Sequence, residues 1–556
     1  MGVFLFFSNF LYIEYIYSLK ILCCKERGLD FDGFMGYNEQ KGGFMLAITN
    51  CYGLEGVEGF RVTVEANVSG GKHIFEIVGL ADAAIKESKE RIRTAMKNSG
   101  FQFTGQKIIV NLAPASRKKE GPMYDLPIAI SLLASYGITS SAEAKNYVIL
   151  GELSLSGKVR KIRGLLPILI SARKDGFTKF IVPAANAHEA SFIEGIDVYA
   201  VETLSDVVGF LNGEKQIARV EASNYEQQKK AHPKAVVDFK NIRGQANAKR
   251  ALEIAAAGGH NILLIGPPGS GKTLMAKAFP SILPELTFEE ALEITKIHSV
   301  AGELDLNDGI VLHRPIRTPH HTATLTSLTG GGRTSRPGEI SLAHNGVLFL
   351  DEVPEYNHKT LETLRQPLED GQITVARANQ TITYPSNFVL VASMNPCPCG
   401  YYGSKKHECS CTPNQIHKYL SKLSGPLMDR IDLHIEVDDV TYEDISGNAE
   451  EECSADIRAR VNKARDIQLK RFKGQKIYSN SKMSPPLTKQ HCHLDPQAET
   501  ILKTAFENLS LSARAYDKIL KVARTIADLE GEENIGVAHL AEAIQYRSLD
   551  QKYWNF

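Results

Sequence analysis

The chain has no charge of one sign in excess: 64 Lys and Arg stand against 64 Asp and Glu in 556 residues. A neutral total excludes a global field that recruits nucleic acid, so basic residues that meet DNA must be local or gathered by oligomerisation. Cysteine is sparse, nine in all, which excludes a disulfide scaffold. An odd count with one tight cluster suits a reducing cytosol and one metal or redox site. No internal repeat is visible, so the length divides among distinct domains, two to four of them. Long apolar runs are also missing, apart from residues 3–22 (VFLFFSNFLYIEYIYSLKIL). That run lacks the basic start and small-residue cleavage site of a signal peptide. Asn9 and Glu14 interrupt it, and Lys20 cuts it near the minimum spanning length of about 17–20 residues. Lys41-Gly42-Gly43 can be encoded by a purine-rich ribosome-binding sequence just upstream of a Met codon. Met45 is therefore expected as the native start and residues 1–44 as leader, with a membrane anchor as the rival reading.

What is present is ordinary for soluble globular protein: 43% hydrophobic and 23% charged residues. From 45 to 211, period-two stretches (RVTVEANV, KHIFEIVG) read as half-buried strands. ADAAIKESKERIRTAMKNSG reads as an amphipathic helix that starts near Asp82 and stops at Gly100. These alternate with further strands and helices in an α+β domain. Residues 212–235 are polar and read as a linker. Residues 236–440 alternate strands and helices as a parallel three-layer α/β sheet, and 441–556 carry the three-four spacing of amphipathic helices.

The most specific signal is NILLIGPPGSGKT. An apolar strand, Ile262–Ile265, feeds Gly266-Pro267-Pro268-Gly269-Ser270-Gly271-Lys272-Thr273. Backbone N–H groups of such a loop cradle phosphates, Lys272 reaches the β/γ oxygens, and the Thr273 hydroxyl takes Mg²⁺. NGVLFLDE ends a second strand in Asp351 and Glu352, one carboxylate for the Mg²⁺ shell and one to polarise the attacking water. FVLVASMN ends a third in Asn395, an amide for the γ-phosphate or the water, or a cap for the following turn. About seventy residues separate the phosphate loop's helix from the Asp-Glu strand, too many for a simple connection. They include a basic loop with Arg314, Arg317, His320 and His321, expected to be functional; adjacent histidines without a further partner favour hydrogen bonding over metal. Residues 369–388 read as a hairpin, on which Arg377 is a candidate DNA-backbone contact.

Together these strands and the helices after them resemble an AAA+ ATPase. The resemblance implies that Ile242-Arg243-Gly244-Gln245 is the adenine-side segment and Asn395 the first sensor. SGPLMDRIDLH resembles an arginine-finger segment, with Arg430 reaching a neighbouring subunit's γ-phosphate, and SARAYDKIL a second sensor, with Arg514 on a helical lid. A finger supplied in trans implies a ring, most simply a hexamer. The long insertion resembles that of the branch holding magnesium chelatases and MCM helicases. IVGLADAAIKESKERIRTAMKNSGF, NLAPASRKKEG, GELSLSGKVRKIRG, PGEISLAHNGVLFLDE and MNPCPCG are similar to segments of the magnesium-chelatase-like YifB/ComM family, over about nine-tenths of the chain. That resemblance implies a cytoplasmic ring ATPase using ATP and Mg²⁺, with single-stranded or branched DNA as partner and no membrane partner. A helicase or branch-migration role in recombination or natural transformation would follow. The alternative is a chelatase-type motor that remodels a protein partner.

Residues 45–211 resemble the proteolytic domain of Lon, an S5-type fold. At the positions of Lon's serine and lysine stand Met123 and Ile168, neither able to serve acyl transfer, so no peptidase activity is expected. Last, Cys397, Cys399, Cys409 and Cys411 lie within 395–411 as two C-x-C pairs. Four thiolates suit structural Zn²⁺, with His407 as spare ligand, although C-x₂₋₄-C is the usual spacing. A reduced metal-free loop and a redox or cluster role stay open. The cluster follows Asn395 so closely that it reads as a clip on the loop leaving the ATP site.

Overall fold

The computed structural model describes residues 46–102, 107–231, 237–304, 309–332, 336–377, 380–404, 406–439, 451–475, 477–508 and 511–554. The expectations about Met45 and the 1–44 leader fall outside them.

The first unit is built on a hairpin. Strands β1 (Ala47–Glu55) and β2 (Glu58–Ser69) pair antiparallel from Ala47↔Ala66 to Glu55↔Glu58. Val62, Val64, Ala66 and Val68 of β2 alternate into the core, the period-two pattern of a sheet with one buried face. With β3 (Ile74–Val78), β4 (Lys107–Ala113), β5 (Val148–Ile149), β6 (Lys179–Pro183) and β7 (Asp197–Val201) they make a seven-stranded mixed sheet, order β3-β4-β2-β1-β5-β6-β7. Helix α1 (Ala83–Asn98) starts where Asp82 accepts from the Ile85 N–H at 2.8 Å, an N-cap placed as the sequence suggested. Helices α2 (Asp125–Ser135) and α3 (Leu165–Lys174) cover the sheet. Met123 and Ile168 are both buried in this unit's core.

The 212–235 segment is less of a free tether than its polarity suggests. The Val220 N–H donates to the Val198 carbonyl at 2.9 Å, which lays the segment along the sheet's β7 edge. Helix α4 (Tyr225–Ala231) then seats Tyr225 in a small cluster with Phe192, Ile310 and Leu312. Two apolar side chains, Ile217 and Val220, account for the difference: both pack on the first unit's core.

Beyond it, β8 (Ile262–Ile265), β9 (Ile316–Arg317), β10 (Val347–Leu350), β13 (Val389–Met394) and β14 (Leu433–Glu436) form an all-parallel sheet, order β9-β10-β13-β8-β14. Every residue of β8 and β10 is buried, as the continuous apolar runs of a sheet covered on both faces require. Inserted before β13 is the expected hairpin, β11 (Gln372–Arg377) and β12 (Gln380–Pro385). Helix α5 (Ala246–Gly258) lies on the sheet, α6 (Lys272–Ala278) follows the phosphate loop, and α7 (Phe288–Ala301) begins the long insertion. The first unit is fastened to α7. The buried Glu189 carboxylate accepts from the Leu166 N–H at 3.0 Å and from the Ser299 hydroxyl, and burial raises its pKa.

The rest of the described chain is helical, with α8 (Ser454–Arg471), α9 (Ala513–Glu530) and the short α10 (Leu549–Trp554). Ile519, Val522, Ala523 and Ile526 of α9 are buried in one core with Ala251, Leu252 and Ala255 of α5. A fully buried isoleucine contributes about 1.5–3 kcal/mol, so this seam holds the helices firmly on the sheet.

Candidate nucleotide site

Register alone brings the predicted residues together. Ile265 pairs with Met394 and with Glu436, and Leu350 pairs with Ala392. The residues that follow β8, β10 and β13 (Gly266, Asp351 and Asn395) therefore leave the sheet at one C-terminal edge, where open α/β sheets bind ligands. Gly269 (φ 80°) and Gly271 (φ 89°) take left-handed backbone with open space around them, so glycine is needed for conformation. At Gly266 the reason is different: a Cβ would lie 2.4 Å from the Val437 carbonyl oxygen.

Lys272 opens α6 and turns back under the loop. Its Nζ donates to the Gly266 and Pro267 carbonyls at 2.7 and 2.8 Å and to Asn395 Oδ1 at 3.2 Å. Burial pushes its pKa down to about 8, against the pull of Asp351 and Glu352. The Ser270 hydroxyl donates to the Pro267 carbonyl at 2.9 Å and braces the loop. Thr273 Oγ1 donates to Asp351 Oδ2 at 2.9 Å, and the Ser393 hydroxyl holds the other oxygen, Oδ1. A hydroxyl and an oriented carboxylate side by side are the hard oxygen ligands that Mg²⁺ takes. Glu352 is exposed at the same edge with left-handed backbone, φ 51°. Such a conformation costs a non-glycine residue about 1–3 kcal/mol and collects at functional sites. Gln245 is left-handed too (φ 59°), at the start of α5. Its Nε2 donates to the Asp438 carbonyl at 2.8 Å, so the segment expected on the adenine side meets the exit of β14.

Arg430 and Arg514 lie elsewhere. Arg430 precedes β14, and its carbonyl accepts from Asn261 Nδ2 at 3.0 Å, just before β8. Both are at the N-terminal edge, so the length of the strand separates Arg430 from its own chain's phosphate loop. There its guanidinium donates to the Arg365 carbonyl at 3.0 Å and the Pro426 carbonyl at 2.6 Å, and pairs with Glu369. Arg514, exposed at the start of α9, approaches the same Glu369 carboxylate at 3.7 Å. Both arginines thus share one edge and one carboxylate.

Residues that sequence reasoning missed hold this edge together. Asn261 also accepts from the Leu390 N–H at 2.9 Å, and its own N–H donates to Asp432 at 2.9 Å. Asp432 is buried and pairs with Lys518 of α9 at 2.7 Å. Burial would raise its pKa, but Lys518 and His260 hold the carboxyl far below the usual range. Asn261 and Asp432 each sit beside a strand start, which is the only sequence signal. Nothing marks Glu369 or Lys518.

The basic loop needs a correction. Arg314 is neutralised by Glu290 at 2.9 Å and donates to the Pro284 and Asn345 carbonyls. Arg317 pairs with Glu339 at 2.6 Å and Glu303 at 2.9 Å. Their charge is spent inside the fold by acids distant in sequence, so they form no free basic surface. His320 Nδ1 hydrogen-bonds the Thr322 hydroxyl at 2.8 Å and its ring lies 4.1 Å from that of His321, the hydrogen-bonding arrangement expected of them. Arg377 closes the hairpin, paired with Gln380; its side chain lies outside the described residues.

The four cysteines do converge. Cys397 Sγ lies 3.3 Å from Cys399 Sγ and 3.7 Å from Cys409 Sγ, Cys399 and Cys409 are 3.6 Å apart, and all four sulfurs fall within 4.8 Å of one another. His407 is not part of that group; its ring lies against that of Tyr401, tilted by 53° with centroids 4.8 Å apart.

Three family models match the chain: "Magnesium chelatase, subunit ChlI" over residues 238–445, "Subunit ChlI of Mg-chelatase" over 64–186, and "Magnesium chelatase, subunit ChlI C-terminal" over 451–547. The chain is 43% identical over 506 residues to competence protein ComM of Haemophilus influenzae, covering 91% of this chain and 98% of that one. It is 41% identical over 507 residues to the uncharacterized protein YifB of Escherichia coli K12, with the same coverage. A more distant similarity, 25% over 323 residues, reaches the magnesium-chelatase 38 kDa subunit of Cereibacter sphaeroides, covering 54% of this chain and 88% of that one.

Proposed function

Because the chain belongs to the magnesium-chelatase-like ComM/YifB family, an AAA+ family whose members use ATP and Mg²⁺, we propose that it is an ATP-hydrolysing ring motor acting on DNA. The observation that carries the ATPase half is the single edge on which Lys272, Thr273, Asp351, Glu352 and Asn395 meet. Lys272 takes the β/γ-phosphate charge, Thr273 and Asp351 hold Mg²⁺, Asn395 orients the γ-phosphate or the water, and Glu352 accepts the water's proton.

Arg430 completes a neighbour's site, because its own is a strand's length away. Arg514 goes with it, since both reach Glu369. Two arginines on one edge and a phosphate loop on the other make a head-to-tail interface, which closes as a ring; a hexamer is the proposed state. Residues 441–556 then act as the lid, and residues 45–211, with Met123 and Ile168 buried in place of a serine and a lysine, as a non-proteolytic scaffold. The four cysteines hold a structural Zn²⁺.

The DNA half is supported by the 43% identity to a competence protein and by the hairpin with Arg377 near its tip. A cytoplasmic setting goes with it; among the described residues no helix is long and apolar enough to cross a membrane. The chelatase-named family models favour a second reading, a motor that remodels a protein partner. Unwinding of forked DNA separates them. The motor reading expects ATP-dependent strand separation that Lys272→Ala abolishes; ATP hydrolysis with neither DNA binding nor unwinding would favour the partner-remodelling reading instead.

A further inference from the structure

The chain leaving Asn395 packs back on the phosphate loop. A Cβ on Gly400 would lie 2.6 Å from Pro268 Cδ, so the cysteine loop and the phosphate loop are in direct contact. Beyond that point Tyr402 and Ser404 form one wall of an open cleft of about 280 Å³, lined also by Gly266 and Pro267 and by the exit of β14 at Glu436, Val437, Asp438 and Asp439. The Ser404 hydroxyl donates to Asp439 Oδ2 at 3.0 Å and seals the wall to that exit.

The position of the cleft says what it takes. Thr273 and Asp351 fix the Mg²⁺ side of the phosphate loop toward β10. The cleft lies on the opposite side, toward β14, where Gln245 also reaches Asp438. A nucleoside triphosphate whose phosphates meet Lys272 must run its ribose and base that way.

At the root of the wall stands the thiolate cluster. Tetrahedral zinc with Zn–S of about 2.3 Å sets the sulfurs about 3.8 Å apart, close to the 3.3–3.7 Å among Cys397, Cys399 and Cys409, with Cys411 within 4.8 Å of the others. Backbone N–H groups of Tyr402 and Cys399 donate to the sulfurs of Cys397 and Cys411 at 3.3 and 3.4 Å, the outer-shell hydrogen bonds that orient ligands around a metal. Cys397 and Cys411 are the ends of the loop, so a metal there closes it and removes its freedom to swing away.

We propose that zinc held by Cys397, Cys399, Cys409 and Cys411 fixes the outer wall of the pocket for the nucleoside of ATP, so that losing the metal weakens nucleotide binding. This rests on the ATP and zinc readings above, and the test separates them. Zinc is measured by mass spectrometry in the purified full-length protein, and a fluorescent N-methylanthraniloyl ATP is titrated into it with Mg²⁺. Expected are about one zinc per chain and, after mercurial stripping and removal of the mercurial with excess thiol, a Kd raised about tenfold, restored by added Zn²⁺. Cys409→Ser should behave like the stripped protein. Ser404→Ala should keep its zinc and bind nucleotide about threefold more weakly. The proposal is overturned if the protein as purified carries no zinc, or if stripped and zinc-loaded wild type bind the nucleotide equally. Lys272→Ala marks the other failure: unchanged binding in that variant would sink the ATP reading itself.

Discussion

Mixing two inactive variants should restore ATP hydrolysis. Arg430 is tied to Asn261, and from Asn261 to Gly266 the extended chain rises about 16 Å. No arginine side chain spans that, so Arg430→Ala damages the neighbour's site while Lys272→Ala damages its own. Alone, each should lose most turnover, the finger variant by about 10³–10⁵-fold. In a one-to-one mixture that assembles at random, half the subunits keep Lys272, and half of those face a neighbour that keeps Arg430. About one quarter of sites should then hydrolyse ATP at the normal rate. Phosphate release measured across mixing ratios should peak at equal amounts. A chain carrying both substitutions should restore nothing to either single variant beyond its own level. A mixture as inactive as its components, under conditions where wild-type subunits exchange, would refute the trans assignment and with it the ring derived from it.

Glu352→Gln should bind ATP normally and hydrolyse it about 10²–10⁴-fold more slowly, read by single-turnover phosphate release; a near-normal rate would remove Glu352 from water activation. Lys272, with its pKa near 8, must be protonated to hold phosphate, so ATP affinity should be flat below that pH and fall about tenfold per unit above it; calorimetry finding no change from pH 7 to 9.5 would contradict this. Asp432→Ala leaves Lys518 buried without its partner and should cost about 3–5 kcal/mol in urea unfolding. Because the folded pKa of Asp432 is depressed, its contribution is present above the free-carboxyl value of about 4 and is lost as pH falls through the lower folded value; the variant should therefore show a shallower acid transition than wild type.

How much of the site was readable varied with distance in sequence. Asp351, Glu352 and Asn395 come straight after apolar strands, Lys272 and Thr273 follow one across the loop 266–271, and a parallel register carries all of them to one edge. Local pattern therefore sufficed. Arg430 and Arg514 resemble family segments, but which edge they occupy depends on strand order, which no local pattern encodes. The basic look of Arg314 and Arg317 misled for the same reason: Glu290, Glu303 and Glu339 reach them only after folding. The linker's polarity hid Ile217, Val220 and Tyr225, few in number but enough to seat it. Cysteine spacing suggested a cluster, and the return of the loop through Gly400 to Pro268 shows what that cluster abuts.

The central claim, an ATP motor that works on DNA, is tested most directly by the steady-state ATPase rate with and without single-stranded and branched DNA. The account predicts Mg²⁺-dependent hydrolysis that rises with DNA and vanishes in Lys272→Ala. A rate indifferent to every DNA form, in protein that hydrolyses ATP and assembles, would contradict it.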